Sequence, residues 1–384
     1  MGTGSNARGP ARGAEIAPAA RAPLLGAPPS VASLLHPFMR RRSFVSASAL
    51  ALSPLLGRTA LAGADDPDRV VVLDSADASI TLIDQTTHRP LQTFAAGKEP
   101  HHLMATPDNQ LLIVADAISG NLLFLNPVSG MPEGWRQGIE DPYQIGFSPD
   151  KRWFVTNCLR LNRVDLYRYG GGRELRLVKR MPLEAIPSHM AFTADSQIVF
   201  VSLQQTGEVA AIHLPTQTLL WTMKVGDTPA GVWLTPRDRV LLVALTGSNA
   251  VVAVDWRRRG ILGRIVTGDA AHNFRSLADG RHVLVSNRIA DTISILDMQA
   301  LRKVGDITGL RPGPDDMELS ADRRWLWTTF RFDRAVGVID MHSLRLVDVI
   351  GVGKSPHGIY FRDRAPFYDN LPPLSPPPAA PVRL

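Results

Sequence analysis

The chain lacks several features on which common enzyme and cofactor classes depend. Cys158 is its single cysteine among 384 residues, so no disulfide can form within the chain. No C-x-x-C-H sequence is present, which excludes covalently attached c-type haem. A glycine-rich phosphate loop and a serine nucleophile elbow are also missing. At 45% hydrophobic residues the chain can still bury a large core without a disulfide.

Acidic residues and lysine are almost missing from residues 1–62. That segment holds seven arginines, no lysine and one acid, Glu15. Subtracting it from the 42 basic and 36 acidic residues of the whole chain leaves 35 of each. A net charge near zero argues against general nucleic-acid binding, which needs a net or clustered basic surface. We therefore expect no nucleic-acid partner.

The arginines of this segment form part of an export signal. The run from Arg40 to Val45 (RRRSFV) resembles the twin-arginine motif, with Arg41 and Arg42 as the pair. An apolar run over residues 47–56 follows, and residues 60–62 (ALA) form a small-x-small cleavage site. The resemblance implies that residues 1–62 are a leader that is cleaved after Ala62 and directs the protein to the periplasm. It also implies that translation starts at Met39. The apolar run is too short to span a bilayer, so we expect no membrane span.

A nine-residue segment occurs seven times along the rest of the chain. It starts at Pro100 (PHHLMATPD), and successive starts are 42, 45, 42, 42, 43 and 42 residues apart. The other copies begin at Pro142, Pro187, Pro229, Ala271, Pro314 and Pro356. The third and fifth residues after each start are mostly apolar, which predicts a short strand that ends in a turn. A repeat of about 40–45 residues is typical of four-stranded propeller blades. The sequence predicts an all-β, seven-bladed β-propeller of antiparallel blades over residues 63–371.

The two ends of the repeat array complement each other. Residues 70–95 supply three strands with no first strand before them, and residues 356–364 supply a first strand with nothing after it. We predict that the C-terminal strand completes the N-terminal blade, because a closed ring leaves no strand edge unpaired. Residues 372–384 are rich in proline and predict a disordered tail.

Short motifs within the repeats resemble a known family. Residues 154–157 (FVTN) and 284–287 (LVSN) resemble the YVTN repeat of bacterial seven-bladed β-propellers, and the Pro-His openings at Pro100 and Pro356 are similar to those of exported YncE-like members. The resemblance covers about residues 69–364. It implies the fold but little about function, because the motif is structural.

Two groups of relatives add expectations about chemistry. YVTN repeats are also similar to d1-type haem domains, which hold a macrocycle at the channel mouth with a histidine on the iron. Those domains have eight blades, so no individual residue is transferred. Lactonase-type propellers have seven blades, and the resemblance implies acid/base side chains, often with a divalent ion, at the same mouth.

Polar residues gather at the start of each first strand, where a propeller has one mouth of its central channel. The first and second positions after each segment start supply His101, His102, Tyr143, Gln144, His189, His272, Asn273, Asp315, Asp316 and His357. Neighbouring loops add Arg160, Arg288 and Arg331. Histidines and arginines with one acidic pair predict a small anionic or metal-chelated ligand at this mouth. The alternative is that each histidine merely binds neighbouring backbone.

The sequence leaves the identity of the ligand open. A divalent metal would need several of His101, His189, His272 and His357 within about 2.1 Å of one point. Non-covalent haem is a second possibility, and a lactonase-like or lyase-like enzyme, with Asp315, Asp316 and a histidine base, is a third. Cys158 lies near Arg160, a setting that favours a lowered thiol pKa, although packing is the commoner role. We predict a monomeric periplasmic propeller whose partner is a small anionic molecule, a cofactor or a periplasmic protein.

Overall fold

The computed structural model describes residues 68–183 and 185–367. Its strands are β1 Arg69–Asp74, β2 Ser79–Asp84, β3 Pro90–Ala95, β4 Pro100–Ala105, β5 Leu112–Asp116, β6 Asn121–Leu125, β7 Pro132–Gln137, β8 Pro142–Phe147, β9 Trp153–Cys158, β10 Arg163–Gly171, β11 Glu174–Pro182, β12 Pro187–Phe192, β13 Ile198–Leu203, β14 Glu208–His213, β15 Thr218–Lys224, β16 Pro229–Leu234, β17 Leu241–Leu245, β18 Ala250–Asp255, β19 Gly260–Val266, β20 Ala271–Ser276, β21 His282–Asn287, β22 Thr292–Asp297, β23 Arg302–Ile307, β24 Pro314–Leu319, β25 Trp325–Phe330, β26 Ala335–Asp340, β27 Arg345–Gly351 and β28 Pro356–Phe361. Two single-turn 3₁₀ helices, Ser75–Asp77 and Pro236–Asp238, lie in the connections between strands.

These strands form seven antiparallel sheets of four strands each. Six sheets use consecutive strands, from β4–β7 to β24–β27, and the seventh has the order β28-β1-β2-β3. The predicted all-β, seven-bladed propeller is therefore confirmed. None of the helices in the described ranges is long and apolar enough to cross a membrane. The predicted leader, residues 1–62, and the predicted tail, residues 372–384, lie outside the described residues.

The ring is closed by pairing between the two ends of the repeat array. Strand β28 runs antiparallel to β1, with Val70 opposite Phe361 and Val72 opposite Ile359. Beyond β1, the Ser75 hydroxyl donates to the Pro100 carbonyl of the next blade at 2.6 Å. The predicted closure by the C-terminal strand is therefore present.

The core lies between the faces of neighbouring sheets. The second strand of a blade is buried on both faces, as in β5, whereas the fourth strand, such as β7, is mostly exposed. A typical cluster between two blades combines Leu73 and Leu82 with Leu112, Val114 and Leu123. Because both faces of each inner strand are covered, these strands are nearly continuous apolar runs.

Every first strand carries a β-bulge near its start. In β20, Ala271 pairs with Asn287 and Phe274 pairs with Val285, so two residues on β20 face one on β21. The same irregularity occurs in the other six first strands. A bulge breaks the strict alternation of side chains along a strand. Consecutive residues at the start of the strand can then both reach the channel axis.

Candidate functional site

Five buried histidines from four blades lie against one another at the channel axis. They are His101, His102, His189, His272 and His357. The ring centroids of His101 and His357 are 4.0 Å apart, those of His102 and His357 are 4.7 Å apart, and those of His189 and His272 are 4.9 Å apart. His102 is the most exposed of the five, at 8%. The sequence predicts these histidines at a mouth of the channel; in the structure they are buried and shielded from solvent.

A hydrogen bond of His102 fixes which of its ring nitrogens carries the proton. His102 Nδ1 is 2.7 Å from the Tyr143 carbonyl oxygen, which can only accept, so the proton is on Nδ1. His189 Nδ1 is 2.8 Å from the Ser188 hydroxyl. The Nε2 atoms of both histidines are buried without a hydrogen-bond partner among the described residues. Buried polar atoms of this kind are rare and require an explanation.

His272, through Nδ1, and His357, through both nitrogens, also have unsatisfied ring nitrogens among the described residues. The Nδ1 of His357 is 3.2 Å from Asp316, and its Nε2 is 3.7 Å from Asp315. Neither contact has hydrogen-bond geometry within the described structure. His357 is fully buried, so no solvent compensates for these missing bonds.

The two aspartates beside the histidines differ in their surroundings. Burial disfavours the ionised form of Asp315, but the Arg288 guanidinium outweighs it and holds the pKa well below its usual value. Arg288 donates to both carboxylate oxygens of Asp315, at 2.9 and 2.6 Å. Burial raises the pKa of Asp316 to about 6, and the Asn273 amide donates a hydrogen bond to that carboxylate. Asp315 is therefore the ionised partner of Arg288, whereas the carboxyl group of Asp316, with its raised pKa, is protonated more easily.

Burial also keeps the histidines neutral. It is the main cause that lowers the pKa of His102 and of His357 to about 3, and that of His272 to about 4. The same cause lowers the pKa of His101 and His189 well below the usual value. A neutral imidazole with a free lone pair is the form that binds metal ions.

Two overlapping groups of side chains have the spacing of metal ligands. One is His101, His102 and His357, and the other is Asp315, Asp316 and His357; the ligand atoms of each group lie within 4.8 Å of one another. Ligands about 2.0–2.2 Å from a common ion lie no more than about 4.4 Å apart, so a small adjustment suffices. The sequence had suggested His101, His189, His272 and His357 as candidates. In the structure, His102 joins His101 and His357, whereas His189 and His272 lie outside both groups.

A cavity of about 240 Å³ lies along the channel next to this cluster. Polar residues at its histidine end are His102, Gln144, His189, Asn273 and Asp316. An apolar collar follows, made by the third residue after each segment start: Leu103, Ile145, Met190, Val232, Phe274, Met317 and Ile359. Glu318, Arg364 and Phe367 line the far end. The channel therefore has a polar end, an apolar middle and a charged end.

The remaining predicted residues have other partners. Arg160 donates to Asp141 at 2.7 Å and also pairs with Glu99, away from the histidines. Arg331 lies 3.4 Å from Asp315. The ring of Tyr143 lies against His101 at 4.1 Å, and the side-chain oxygen of Gln144 accepts a bond from the Met190 amide.

The expectation of a lowered pKa for Cys158 is wrong. Burial, and then the nearby Asp165 carboxylate, raise the pKa of this thiol to about 12. The side chain is fully buried, and Arg160 is engaged by Asp141 instead. Cys158 is a packed core residue.

Sequence reasoning missed the charged far end of the channel. Arg275 and Glu318 occupy the same position of their first strands, where the other copies are apolar or glycine, and they pair at 2.8 Å. A charged residue at an apolar repeat position was the available signal. Arg364 is the last residue of the seventh repeat copy, where most copies have aspartate, and Phe367 lies beyond the repeat.

Comparison with known proteins supports the fold and identifies the family. A sequence model described as YNCE-like beta-propeller matches residues 40–367. None of the curated proteins compared with the chain matches it. Among solved structures, a functionally unknown protein from Desulfotomaculum acetoxidans is 15% identical, with a TM-score of 0.66 over 77% of this chain and 98% of that one.

Two further solved structures have the same fold. Dihydro-heme d1 dehydrogenase NirN is 18% identical, with a TM-score of 0.60 over 78% of this chain and 76% of that one. A putative 6-phosphogluconolactonase from Bacteroides fragilis is 14% identical, with a TM-score of 0.63 over 78% of this chain and 99% of that one. At these identities the likeness shows the fold alone. The match of the family to nearly the whole propeller, together with the seven blades, shows that this chain belongs to the YNCE-like beta-propeller family.

Proposed function

We propose that this protein binds one divalent transition-metal ion inside its central channel, through His101, His102 and His357 with the Asp316 carboxylate beside them. The observation that carries the proposal is the set of buried ring nitrogens of His102 and His357 that have no hydrogen-bond partner among the described residues. A bound ion would satisfy these atoms. It would also offset the cost of burying them, about 1–3 kcal/mol for each unsatisfied group.

The donor set favours particular metals. Three neutral imidazoles suit Zn²⁺, Cu²⁺, Ni²⁺ or Fe²⁺, whereas Ca²⁺ and Mg²⁺ prefer oxygen ligands. His102 is oriented by the Tyr143 carbonyl, the kind of outer contact that metal-binding histidines usually have. Because Arg288 already pairs with Asp315, Asp316 is the better candidate for a fourth ligand.

The geometry supports two of the other candidate ligands less well. An anion at the histidine end would compete with Asp315 for Arg288 and with Asp141 for Arg160. Haem does not fit the channel as it stands. The cavity of about 240 Å³ is below the range of about 300–1,000 Å³ for drug-sized ligands, and a macrocycle is larger still. A metal bound here would supply Lewis-acid chemistry to a ligand in the cavity.

Metal analysis of purified protein tests the proposal. After chelator treatment, titration with Zn²⁺ or Cu²⁺ should give one bound ion per chain. His102→Gln and His357→Gln should each weaken binding at least about 100-fold, because each removes a ligand. His213→Gln is the matched control, since that side chain is partly exposed at the end of β14 and contacts Thr216. Stoichiometric binding that both cluster variants leave unchanged would refute the assignment.

We also propose that the protein is exported through the twin-arginine pathway. The support is the sequence alone, with Arg41 and Arg42 ahead of an apolar run. In a bacterial host, the double variant Arg41→Lys/Arg42→Lys should accumulate uncleaved in the cytoplasm, whereas the parent should appear shortened in the periplasmic fraction. Equal distribution of the two proteins would count against this pathway.

A further inference from the structure

We infer that the channel cavity is a binding site for a single-ring aromatic carboxylate, with its carboxylate at Arg364 and its opposite edge at His102 and His189. This inference goes beyond the metal site and does not require a bound ion. The two sites share His102, whereas Arg364 and the apolar collar line other parts of the channel.

The size of the cavity limits the ligand to about one substituted ring. An apolar cavity of about 150 Å³ holds benzene, whereas drug-sized ligands occupy about 300–1,000 Å³. The volume of about 240 Å³ lies between these values. A benzene ring with two small substituents matches it.

The walls of the cavity favour a flat apolar body. The apolar collar surrounds its middle on all seven blades, and Phe147, Phe192, Trp233 and Tyr360 also line it. Aromatic side chains pack well against a ring, by edge-to-face or offset contacts. The body of the ligand is therefore more suited to an aromatic ring than to a sugar or a phosphate ester.

The far end of the cavity carries an excess of positive charge. Arg275 and Arg364 share one carboxylate, Glu318, at 2.8 and 3.6 Å. The guanidinium of Arg364 lies 4.3 Å from the centre of the Tyr360 ring, and its side chain is 23% exposed. Because Arg275 is fully buried and Arg364 lines the cavity, Arg364 is the group available to a ligand carboxylate.

The histidine end of the cavity accepts hydrogen bonds. His102 Nε2 and His189 Nε2 belong to cavity-lining residues and have no partner among the described residues. Because the His102 proton is on Nδ1, its Nε2 carries a lone pair, to which a hydroxyl group on the ligand can donate when no metal ion is bound. Asp316 lines the same end of the cavity, and its carboxylate repels that of the ligand, which is therefore directed to the Arg364 end.

The C-terminal segment forms the wall on the solvent side of the charged end. Arg275 donates to the Ala365 carbonyl at 2.8 Å and to the Pro366 carbonyl at 3.1 Å. The ring of Phe367 is 5.5 Å from that of Trp233 and is 40% exposed. A ligand would enter past Phe367 and Arg364, which are the partly exposed lining residues at this end.

Calorimetric titration of chelator-treated protein with 4-hydroxybenzoate, 4-hydroxybenzamide and benzoate tests the inference. 4-Hydroxybenzoate should bind most tightly. Arg364→Gln should weaken 4-hydroxybenzoate and benzoate at least about tenfold, through loss of a charged hydrogen bond, and leave the uncharged amide unchanged. Ala105→Phe fills the cavity and should abolish binding of all three probes.

Several outcomes would overturn the inference. They are no binding of any probe by the folded wild-type protein, equal weakening of acid and amide by Arg364→Gln, or binding that survives Ala105→Phe. Circular dichroism and the thermal midpoint of each variant show whether it is folded. A separate Zn²⁺ titration of the same chelator-treated preparations makes failure of the aromatic site and failure of the metal site distinguishable.

Discussion

Glycine at position 358 shows how closely single residues are packed around the histidines. A Cβ atom at Gly358 would lie 2.3 Å from Leu103 Cδ2 and 2.9 Å from Leu73 Cδ1. Gly231, at the same position of another blade, would place a Cβ atom 2.2 Å from the His272 carbonyl oxygen. Two of the seven copies therefore cannot carry a ligand side chain here, because neighbouring leucine side chains or the His272 backbone occupy the space.

Gly358→Ala should destabilise the fold by about 1–3 kcal/mol, the usual cost of overpacking, and weaken metal binding because it displaces His357. Urea unfolding and metal titration measure the two effects. Gly351→Ala is the control, since a Cβ atom at that position would meet no heavy atom within 4 Å. Similar unfolding midpoints for the two variants would contradict the packing argument.

Asp74 makes the stability of the closing blade depend on pH. Burial is the main cause that raises the pKa of this carboxyl from 3.8 to about 6, despite bonds from Thr81 and Gly353. Below pH 3.8 the group is protonated in both states. As the pH rises from 3.8 to 6, the carboxyl group ionises in the unfolded state before it does so in the folded state. The free energy of unfolding therefore falls by up to about 3 kcal/mol.

Asp74→Asn removes this titration. The difference in unfolding free energy between variant and wild type should shift in favour of the variant by up to about 3 kcal/mol between pH 4 and pH 7. Urea unfolding across this range measures it. A difference that does not change with pH would show that Asp74 is ionised in the folded protein.

At the scale of elements, the bulges explain what the sequence could and could not predict. Aligning the repeats placed His101, His189, His272 and His357 at the start of first strands, which is where they lie. A strictly alternating strand turns only one residue of each consecutive pair toward the channel. Because the bulge adds a residue without leaving a pattern in composition, the grouping of His102 with His101 and His357 could not be read from the repeat.

The segment after β28 is an element that the repeat could not predict. Its backbone bonds to Leu319 and Ala321, and one buried side chain, Arg275, contacts Glu318 and the carbonyls of Ala365 and Pro366. A charged residue at a mostly apolar repeat position indicated a special role for Arg275 but not its partners. Arg275 holds this segment across three blades, as its neighbour Phe367 contacts Trp233 on β16.

Arg275→Gln should cost about 3–5 kcal/mol, because it leaves Glu318 buried without its main partner. It should also release residues 365–367, so that chymotrypsin cleaves after Phe367 faster than in the parent. Arg281→Gln is the matched control, since its pair with Asp297 involves a half-exposed arginine and should cost about 1 kcal/mol or less. Equal proteolysis of both variants would contradict the role of Arg275.

At the scale of the whole molecule, the number of blades and the closure were readable from the sequence. The repeat starts from Pro100 to Pro356, with three unpaired strands before them, allow a single closed arrangement. How deeply the histidines are buried could not be predicted from the sequence, because it depends on how seven sheets tilt around one axis. The leader and its export route remain predictions.

A chain that ends at Ser355 should not form a folded monomer, because it exposes the edge of β1 and lacks β28. Size-exclusion chromatography should show aggregates. A permuted chain with residues 356–361 joined by a flexible linker ahead of Arg69 should restore the monomer. A monomeric truncated chain with the far-ultraviolet spectrum of the parent would show that closure is dispensable.

The position of His357 on β28 has a consequence for the order of events in the cell. This strand is the last of the described strands to leave the ribosome, and it alone brings His357 to His101 and His102. The complete trio cannot exist before β28 has been synthesised and has paired with β1. Any ion that needs all three imidazoles is therefore acquired only in the compartment where the ring first closes.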